Sequence, residues 1–261
     1  MTKAIILAAG QGTRLRPYTN DKPKCMVELE GKTVIQHIID TLKKVNINDI
    51  SIVSGYHSKV LEDHLSNYDD IKYYKNNEYS ESNMVYSLFK AIRELTSEKE
   101  IIFCYSDIVF SSSVLSKLVN AKYDLSVVAD LGWEDLWTLR LGDDYMSDVE
   151  TFKLSTDGTI RELGKKTTSK AEIEAQYIGL VKISKYFVEE MVSYYKSLNK
   201  KELYDGKDFN NMYMTTFIQK IIDKYKNVYP VMINGQWAEI DSCEDLEAYK
   251  KIGYINLIGG C

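Results

Sequence analysis

The first 130 residues alternate short apolar runs with amphipathic segments, and that rhythm leaves few folds open. Ala4 to Leu7, Ile50 to Val53, "IKYYK" (71–75), "IIFCYSDIVF" (101–110) and "DLSVVAD" (124–130) read as strands. Between them, 33–45 carries apolar residues at 34, 35, 38, 39, 42 and 45, and 83–95 carries them at 84, 85, 88, 91, 92 and 95. That is the spacing of helices with one buried face. Shorter helices are expected at 59–65 and 112–119. Strands joined by helices of this length need right-handed crossovers, which lay the strands parallel with helices on both faces. The expected fold class is α/β, a Rossmann-like, mostly parallel sheet flanked by helices.

After about residue 131 the rhythm changes. The stretch 131–148 has no clean period and holds two of the three tryptophans. "VETFKLSTDGTIREL" reads as a hairpin turning at Asp157-Gly158, 176–183 as a strand, and 185–198 and 210–224 as helices. "VYPVMINGQWAEID" reads as a second hairpin with Asn234-Gly235 at its tip, the strongest short hairpin signal. A helix is expected at 242–251. No repeat, low-complexity tract or linker interrupts the chain, so 1–261 reads as a single domain with an elaborated second half and a loose tail at 256–261.

Composition narrows the partners. Hydrophobic residues make up 44% of the chain, enough for a sizeable core, and the formal charge is -5. An acidic protein is poorly suited to nucleic acid, which wants a basic surface, so no nucleic-acid partner is expected. Cysteines at 25, 104, 243 and 261 form no CxxC pair and no zinc spacing with histidine, which fits a reduced, cytoplasmic location. No stretch approaches the ~18 apolar residues of a membrane span, and no membrane partner is expected. Self-association is left open.

Against that acidic background, "ILAAGQGTRLRPYTNDKPK" (6–24) stands out. It follows the first strand, and in an open parallel sheet ligands sit beyond the carboxyl ends of the strands. Gly10 and Gly12 let backbone N–H groups approach a ligand closely. Arg14, with Arg16 and Lys24 as further candidates, can pair with phosphate oxygens. A glycine loop followed by cations suits a triphosphate. Two better-known phosphate motifs fail: GxGxxG would need a third glycine at Leu15, and "GKT" (31–33) lacks the earlier P-loop glycine, where Met26 stands.

"LAAGQGTRLRP" followed by "KPK" resembles the signature of the nucleotidyltransferases that make NDP-sugars and CDP-alcohols. The resemblance implies that Leu7, Ala8, Ala9, Gly10, Gly12 and Thr13 bind the nucleotide, that Arg14 holds its triphosphate and that Lys24 contacts the α-phosphate. It divides the domain into a nucleotide-binding half (1–130) and an acceptor-binding half (131–255). Asp107 ends the apolar strand "IIFCYSD" and Asp241 ends "QWAEID". Carboxylates in such places are rarely buried without a partner, and the two can hold Mg²⁺ between nucleotide phosphates. The resemblance supports both as metal ligands. The plain alternative for each is a helix cap. Glu239 reads as a supporting or structural residue.

"NNEYSESNMVYSL" (76–88) looks like the segment of the phosphocholine cytidylyltransferase branch, which implies CTP as nucleotide and Ser82, Asn83 and Ser87 as contacts. Ser82 or Asn83 can equally cap the helix that follows. "RELGKK" (161–166) resembles the acceptor side of the same branch, with Lys165 expected to face the acceptor phosphate and Lys166 as the fallback. Trp133, Trp137 and Tyr177 are candidates for the acceptor pocket, where aromatic faces suit an amine, though aromatic residues are more often core. Asp205 and Asp208 lie on a polar loop that can meet an ammonium group. Acceptors of the branch include phosphocholine, 2-aminoethylphosphonate and glutamine phosphate, the last being the leading expectation. Thr215 and Thr216 stand where an acidic residue is expected, which counts against a choline-type site. The competing expectations are a sugar-1-phosphate nucleotidylyltransferase using UTP or dTTP and a non-catalytic nucleotide-binding subunit. An acceptor phosphate is already ionised near neutrality, so the chemistry expected here uses no general base, and the histidines (37, 57, 64), which lie away from every motif, fit that.

Overall fold

The computed structural model describes residues 2–96 and 98–254. Its strands are β1 (Thr2–Ala8), β2 (Glu28–Leu29), β3 (Lys32–Thr33), β4 (Asp49–Ser54), β5 (Ile71–Lys75), β6 (Glu100–Tyr105), β7 (Ile108–Phe110), β8 (Leu125–Asp130), β9 (Glu150–Leu154), β10 (Ile160–Lys166), β11 (Gln176–Ile183), β12 (Val228–Ile233) and β13 (Trp237–Glu239). Its helices are α1 (Val34–Lys44), α2 (Ser58–His64), α3 (Met84–Lys90), α4 (Ser112–Asn120), α5 (Trp133–Leu141), α6 (Val188–Ser197), α7 (Met214–Tyr225) and α8 (Cys243–Ile252).

Seven strands form one sheet in the order β12-β8-β11-β6-β1-β4-β5. Neighbours are parallel except at β11, which runs antiparallel to both β6 and β8. The alternation read from the sequence thus yields the mostly parallel α/β sheet it implies. Because β11 is wedged between two earlier strands, the two halves of the chain share one sheet. Residues of β1 alternate between two apolar layers: Ala4, Ile6 and Ala8 face one, Ile5 and Leu7 the other, the two-residue period of a strand buried on both sides. Helices α1, α4, α5 and α8 cover the first face, and α3, α6 and α7 the second. From β1 the chain crosses to β4 on one side, while β6 flanks it on the other. The reversal opens a crevice at the carboxyl ends of β1 and β6, where ligands of such sheets bind.

Two strand expectations fail, and both failures shape that crevice. The run 101–110 is not one strand: it breaks at Ser106-Asp107, and β7 leaves the main sheet. Nor do β12 and β13 form a hairpin. β12 joins the sheet edge parallel to β8, while β13 pairs antiparallel with β7. Asp130, fully buried at the end of β8, is the cause. Its carboxylate accepts the N–H groups of Gly132 (2.9 Å) and Gly235 (2.8 Å) and the indole N–H of Trp237 (2.8 Å). The Asn-Gly turn is thereby pinned to the sheet, and β13 swings away to β7.

The stretch without a clean period contains α5. Its buried stripe is Trp133, Leu136, Trp137 and Arg140, a proper helical spacing whose last member is a cation, so an apolar pattern search misses it. The helix expected over 83–95 ends at Lys90 and is followed by a 3-10 turn, Ile92–Glu94. The expected tail at 256–261 lies outside the described residues. Among the described residues, no helix is long and apolar enough to cross a membrane.

Candidate active site

A cavity of about 290 Å³ opens at the crevice. The end of β1 and the turn after it supply Leu7, Ala9, Gly10, Gly12, Thr13 and Arg14 to its wall; the entry to α3 and its first turn supply Ser82, Asn83 and Ser87; Lys24, Asp107 and Asp241 also line it. Of the residues expected at the nucleotide and metal, Ala8 and the further candidate Arg16 are elsewhere. Ala8 is buried in the core, because strand alternation turns it away from the cavity. Gly12 has φ +61°, and a Cβ there would sit 2.7 Å from Lys24 Cβ. Glycine at 12 therefore permits both the turn and the lysine beside it. The carbonyl of Gly12 accepts the hydroxyl of Thr19 at 2.7 Å, which fixes the far side of the turn. Arg16 is exposed and does not line the cavity.

The strand break brings the carboxylates together. Asp107 immediately precedes β7 and Asp241 shortly follows β13; the antiparallel pairing of Ile108 with Glu239 and the hydrogen bond from Ile240 N to Asp107 O (2.8 Å) set the two side chains next to each other. Lys24 Nζ joins them, 2.7 Å from Asp107 Oδ2 and 2.5 Å from Asp241 Oδ1. The guanidinium of Arg14, largely exposed, also pairs with Asp241. Burial pulls the Lys24 ammonium down, but Asp107, Asp241 and Glu239 outweigh it and hold it well above the usual lysine range. For Asp241 burial works upward, and Lys24, Arg14 and Arg140 overcome it, so its carboxyl lies below the usual range.

These residues fit a divalent ion. Asp107 Oδ1 is buried and has no hydrogen-bond partner, a costly state for a carboxylate oxygen. No group of three or more acidic, His or Cys residues with metal geometry occurs among the described residues. Mg²⁺, which commonly takes one or two protein carboxylates with substrate phosphate and water, suits such a pair.

Ser82 and Ser87 are organised by a residue that the sequence reading did not single out. Asn76 is fully buried, and its amide donates to both hydroxyls, at 2.9 and 3.0 Å. Asn83 both caps α3 and lines the cavity. Its N–H donates to Asn210 O at 2.9 Å. Asp208 does not face the cavity. Its carboxylate accepts the N–H groups of Asn210 (2.9 Å) and Asn211 (3.1 Å), and so braces the loop under Asn83. Asp205 is taken by the hydroxyl of Thr216 at 2.6 Å.

A second cavity of about 190 Å³ adjoins the first, sharing Met84 and Tyr105 with it. Trp137, Tyr177, Tyr213 and Trp237 form its aromatic walls, and Asp148, Glu150, Glu239 and Thr215 add polar groups. Gly179, with φ +83°, leaves room for the Tyr105 ring, which a Cβ would meet at 2.4 Å. The Glu150 carboxylate has no ion-pair partner among the described residues. Burial, helped by Asp148 and Glu239 and opposed by Lys166, pushes it up to about 7. Burial likewise raises Asp148 and Glu239, against Arg140 in both cases.

Of the residues expected at the acceptor, Trp137 and Tyr177 line this cavity and three do not. Trp133 is buried behind it, edge-on to Trp137 at 6.2 Å between ring centres. Lys165 is exposed and paired with Glu162 at 2.7 Å. The strand register slips between Leu163 and Lys166 at Gly164, which turns the Lys165 side chain outward. Lys166 lines a separate shallow recess. Asp208 is the third. Asp148 and Glu150 went unnoticed because acidic residues at a strand start look like solvated surface.

A glycine turn at the switch point of a mostly parallel sheet, walled by cations and facing two adjoining carboxylates, defines a nucleotidyltransferase. The chain belongs to the MobA-like NTP transferase family, whose domain matches residues 4–165. It is 45% identical over 248 residues to a CTP:phosphoglutamine cytidylyltransferase of Campylobacter jejuni, covering 94% of this chain and 97% of that one. It is 36% identical over 143 residues to a choline-phosphate cytidylyltransferase of Streptococcus pneumoniae, covering 55% and 60%. Its fold matches a structure of the CTP:phosphocholine cytidylyltransferase of Streptococcus pneumoniae with a TM-score of 0.69 at 24% identity, over 98% and 99% of the two chains.

Proposed function

We propose that the protein is a cytidylyltransferase that transfers CMP from CTP to a small phosphorylated acceptor bearing an ammonium group, with release of pyrophosphate, and that the acceptor is glutamine phosphate. One observation carries the reading: a cavity walled by Arg14, Lys24, Asp107 and Asp241 runs into a second one with aromatic walls and a Glu150 carboxylate that has no ion-pair partner among the described residues. The first suits a triphosphate. The second suits a cation, through carboxylates and ring faces, and suits a neutral sugar poorly. The 45% identity to the phosphoglutamine enzyme, spread over nearly the whole chain, supports both CTP and the acceptor. In this reading 1–130 is the nucleotide side and 131–255 the acceptor side of a single domain, and Asp241 is lent by the second half to the first.

The acceptor phosphate attacks the α-phosphorus in line and pyrophosphate leaves. The phosphoryl group of the acceptor already carries negative charge near neutrality, so its oxygen can attack without a general base. Catalysis is then positioning and charge neutralisation. The Gly10–Gly12 turn holds the triphosphate, Arg14 and Lys24 offset the charge that grows on pyrophosphate, and Ser82, Asn83 and Ser87 face the nucleoside. Asp107 and Asp241 would hold Mg²⁺, which when bound supplies the positive charge that lets two anions meet. Glu150 and Asp148 orient the acceptor's ammonium end.

Pyrophosphate release measured with each of the four NTPs and with dTTP against phosphocholine, 2-aminoethylphosphonate, glutamine phosphate and a sugar 1-phosphate tests the proposal, with the product identified by mass. CTP with glutamine phosphate should give the highest kcat/KM. Preference for UTP or dTTP with the sugar phosphate would overturn it.

A further inference from the structure

Arg140 lines neither cavity. Its side chain is 3% exposed, on the buried stripe of α5, and its guanidinium makes three bonds to two carboxylates. Nε and Nη2 reach the two oxygens of Asp245, at 3.0 and 3.3 Å, and Nη1 reaches Glu239 Oε2 at 2.5 Å. Asp245 is itself 1% exposed. Its Oδ2 also accepts the backbone N–H groups of Asp241 (2.8 Å) and Ser242 (2.9 Å). A planar fork is the group that can satisfy such a carboxylate from one side while leaving its remaining lone pairs to the backbone.

The consequence concerns Asp241. Its N–H is held by Asp245, and the preceding residue's N–H is held by Asp107 O. The main chain is thus clamped on both flanks where the side chain turns toward Lys24. The same arginine lies 5.6 Å from the Trp137 ring, a wall of the second cavity. One residue therefore ties the acceptor wall on α5 to the carboxylate on the phosphate side.

We propose that Arg140 is a positioning residue that, through Asp245, sets the backbone of Asp241 for binding the metal–nucleotide complex. This rests on the reading of Asp241 given above. It touches neither substrate nor metal, so its removal leaves the cationic cradle for the bare nucleotide in place while disordering one carboxylate.

The test uses the full chain with Arg140→Gln and Arg140→Lys. Folding is checked by circular dichroism and thermal melting. CTP binding is titrated by calorimetry with and without Mg²⁺, and turnover is followed against Mg²⁺ concentration. For Arg140→Gln, CTP affinity without metal should stay within twofold of wild type. The Mg²⁺ needed for half-maximal binding and turnover should rise about tenfold or more, and kcat should fall. Arg140→Lys, which keeps the charge and loses the fork, should fall between. A folded Arg140→Gln with Mg²⁺ dependence and kcat within twofold of wild type would overturn the proposal. So would failure of both variants to fold, since the residue would then be structural. Wild-type protein that shows no Mg²⁺-dependent CTP turnover would instead refute the function proposed above, while a tenfold Mg²⁺ shift in nucleotide binding would still report the clamp.

Discussion

Lys24 is the residue on which the charge balance of the site turns. It neutralises two acids at 2.7 and 2.5 Å while burial works against it. Lys24→Ala would leave Asp107 without its cation and Asp241 with Arg14 alone. Turnover should drop on the order of 10²–10³-fold, the usual loss of one preorganised electrostatic group, and Arg14→Ala and Asp107→Ala should behave alike in steady-state kinetics with fold retained. Near-normal turnover in any of them would remove that residue from the mechanism. Glu150 makes a second, pH-dependent prediction. Its carboxyl is pushed up from 4.5 to about 7 by burial with Asp148 and Glu239, against Lys166. The folded state then binds a proton that the unfolded state releases between those values, so Glu150 costs stability as pH rises through that window, and the cost is complete above about 7. Glu150→Gln should therefore melt higher than wild type at pH 8 and no higher at pH 4. The same change should raise the KM for an ammonium-bearing acceptor on the order of 10- to 100-fold, the loss of a charge-assisted hydrogen bond of ~1.5–3 kcal/mol. The KM for a neutral sugar phosphate should not move. Wild-type KM for the ammonium acceptor should fall from pH 6 to 8, and the variant should lack that trend.

Among the elements, β7 and β13 matter more than their six residues suggest, because their pairing is what joins Asp107 to Asp241. Asp130 holds that arrangement through three N–H donors while fully buried. Asp130→Ala should lower the melting temperature and abolish turnover together, since it strands the buried indole N–H of Trp237, at about 1–3 kcal/mol, and frees the two backbone N–H groups that pin the turn. A variant that loses stability but keeps turnover would show that β13 finds its place without Asp130. Helix α8 begins with a capping box between Ser242 and Asp245, and the same aspartate holds Arg140. A cap that costs ~1 kcal/mol in an ordinary helix is here joined to the site. Helix α5 illustrates why part of the site was hidden. Its buried stripe has regular spacing, yet Arg140 within it reads as surface until Glu239 and Asp245, about a hundred residues later, are seen to meet it.

Over the whole molecule, a net charge of -5 coexists with a small cationic cradle at the switch point of the sheet. Charge organised this locally should make nucleotide binding specific to polyphosphates. Chelation by EDTA should abolish pyrophosphate release while leaving the melting temperature of the nucleotide-free protein unchanged, because no cluster of three or more potential metal ligands occurs among the described residues. A fall in that melting temperature on chelation would point to a structural ion instead.

Much of the architecture was written locally. Strand and helix periods in the first 130 residues dictate an α/β sheet, and a glycine turn followed by Arg14 and Lys24 after the first strand dictates where phosphate would sit, since these depend on neighbours in the chain. What joins Asp107 to Asp241, turns Lys165 outward, sets Trp133 behind the second cavity and leaves Glu150 without an ion-pair partner among the described residues depends on contacts between residues far apart in sequence. A strand break, a captured turn and a register slip are decided by hydrogen bonds to buried partners such as Asp130, and no local pattern encodes where those partners will be.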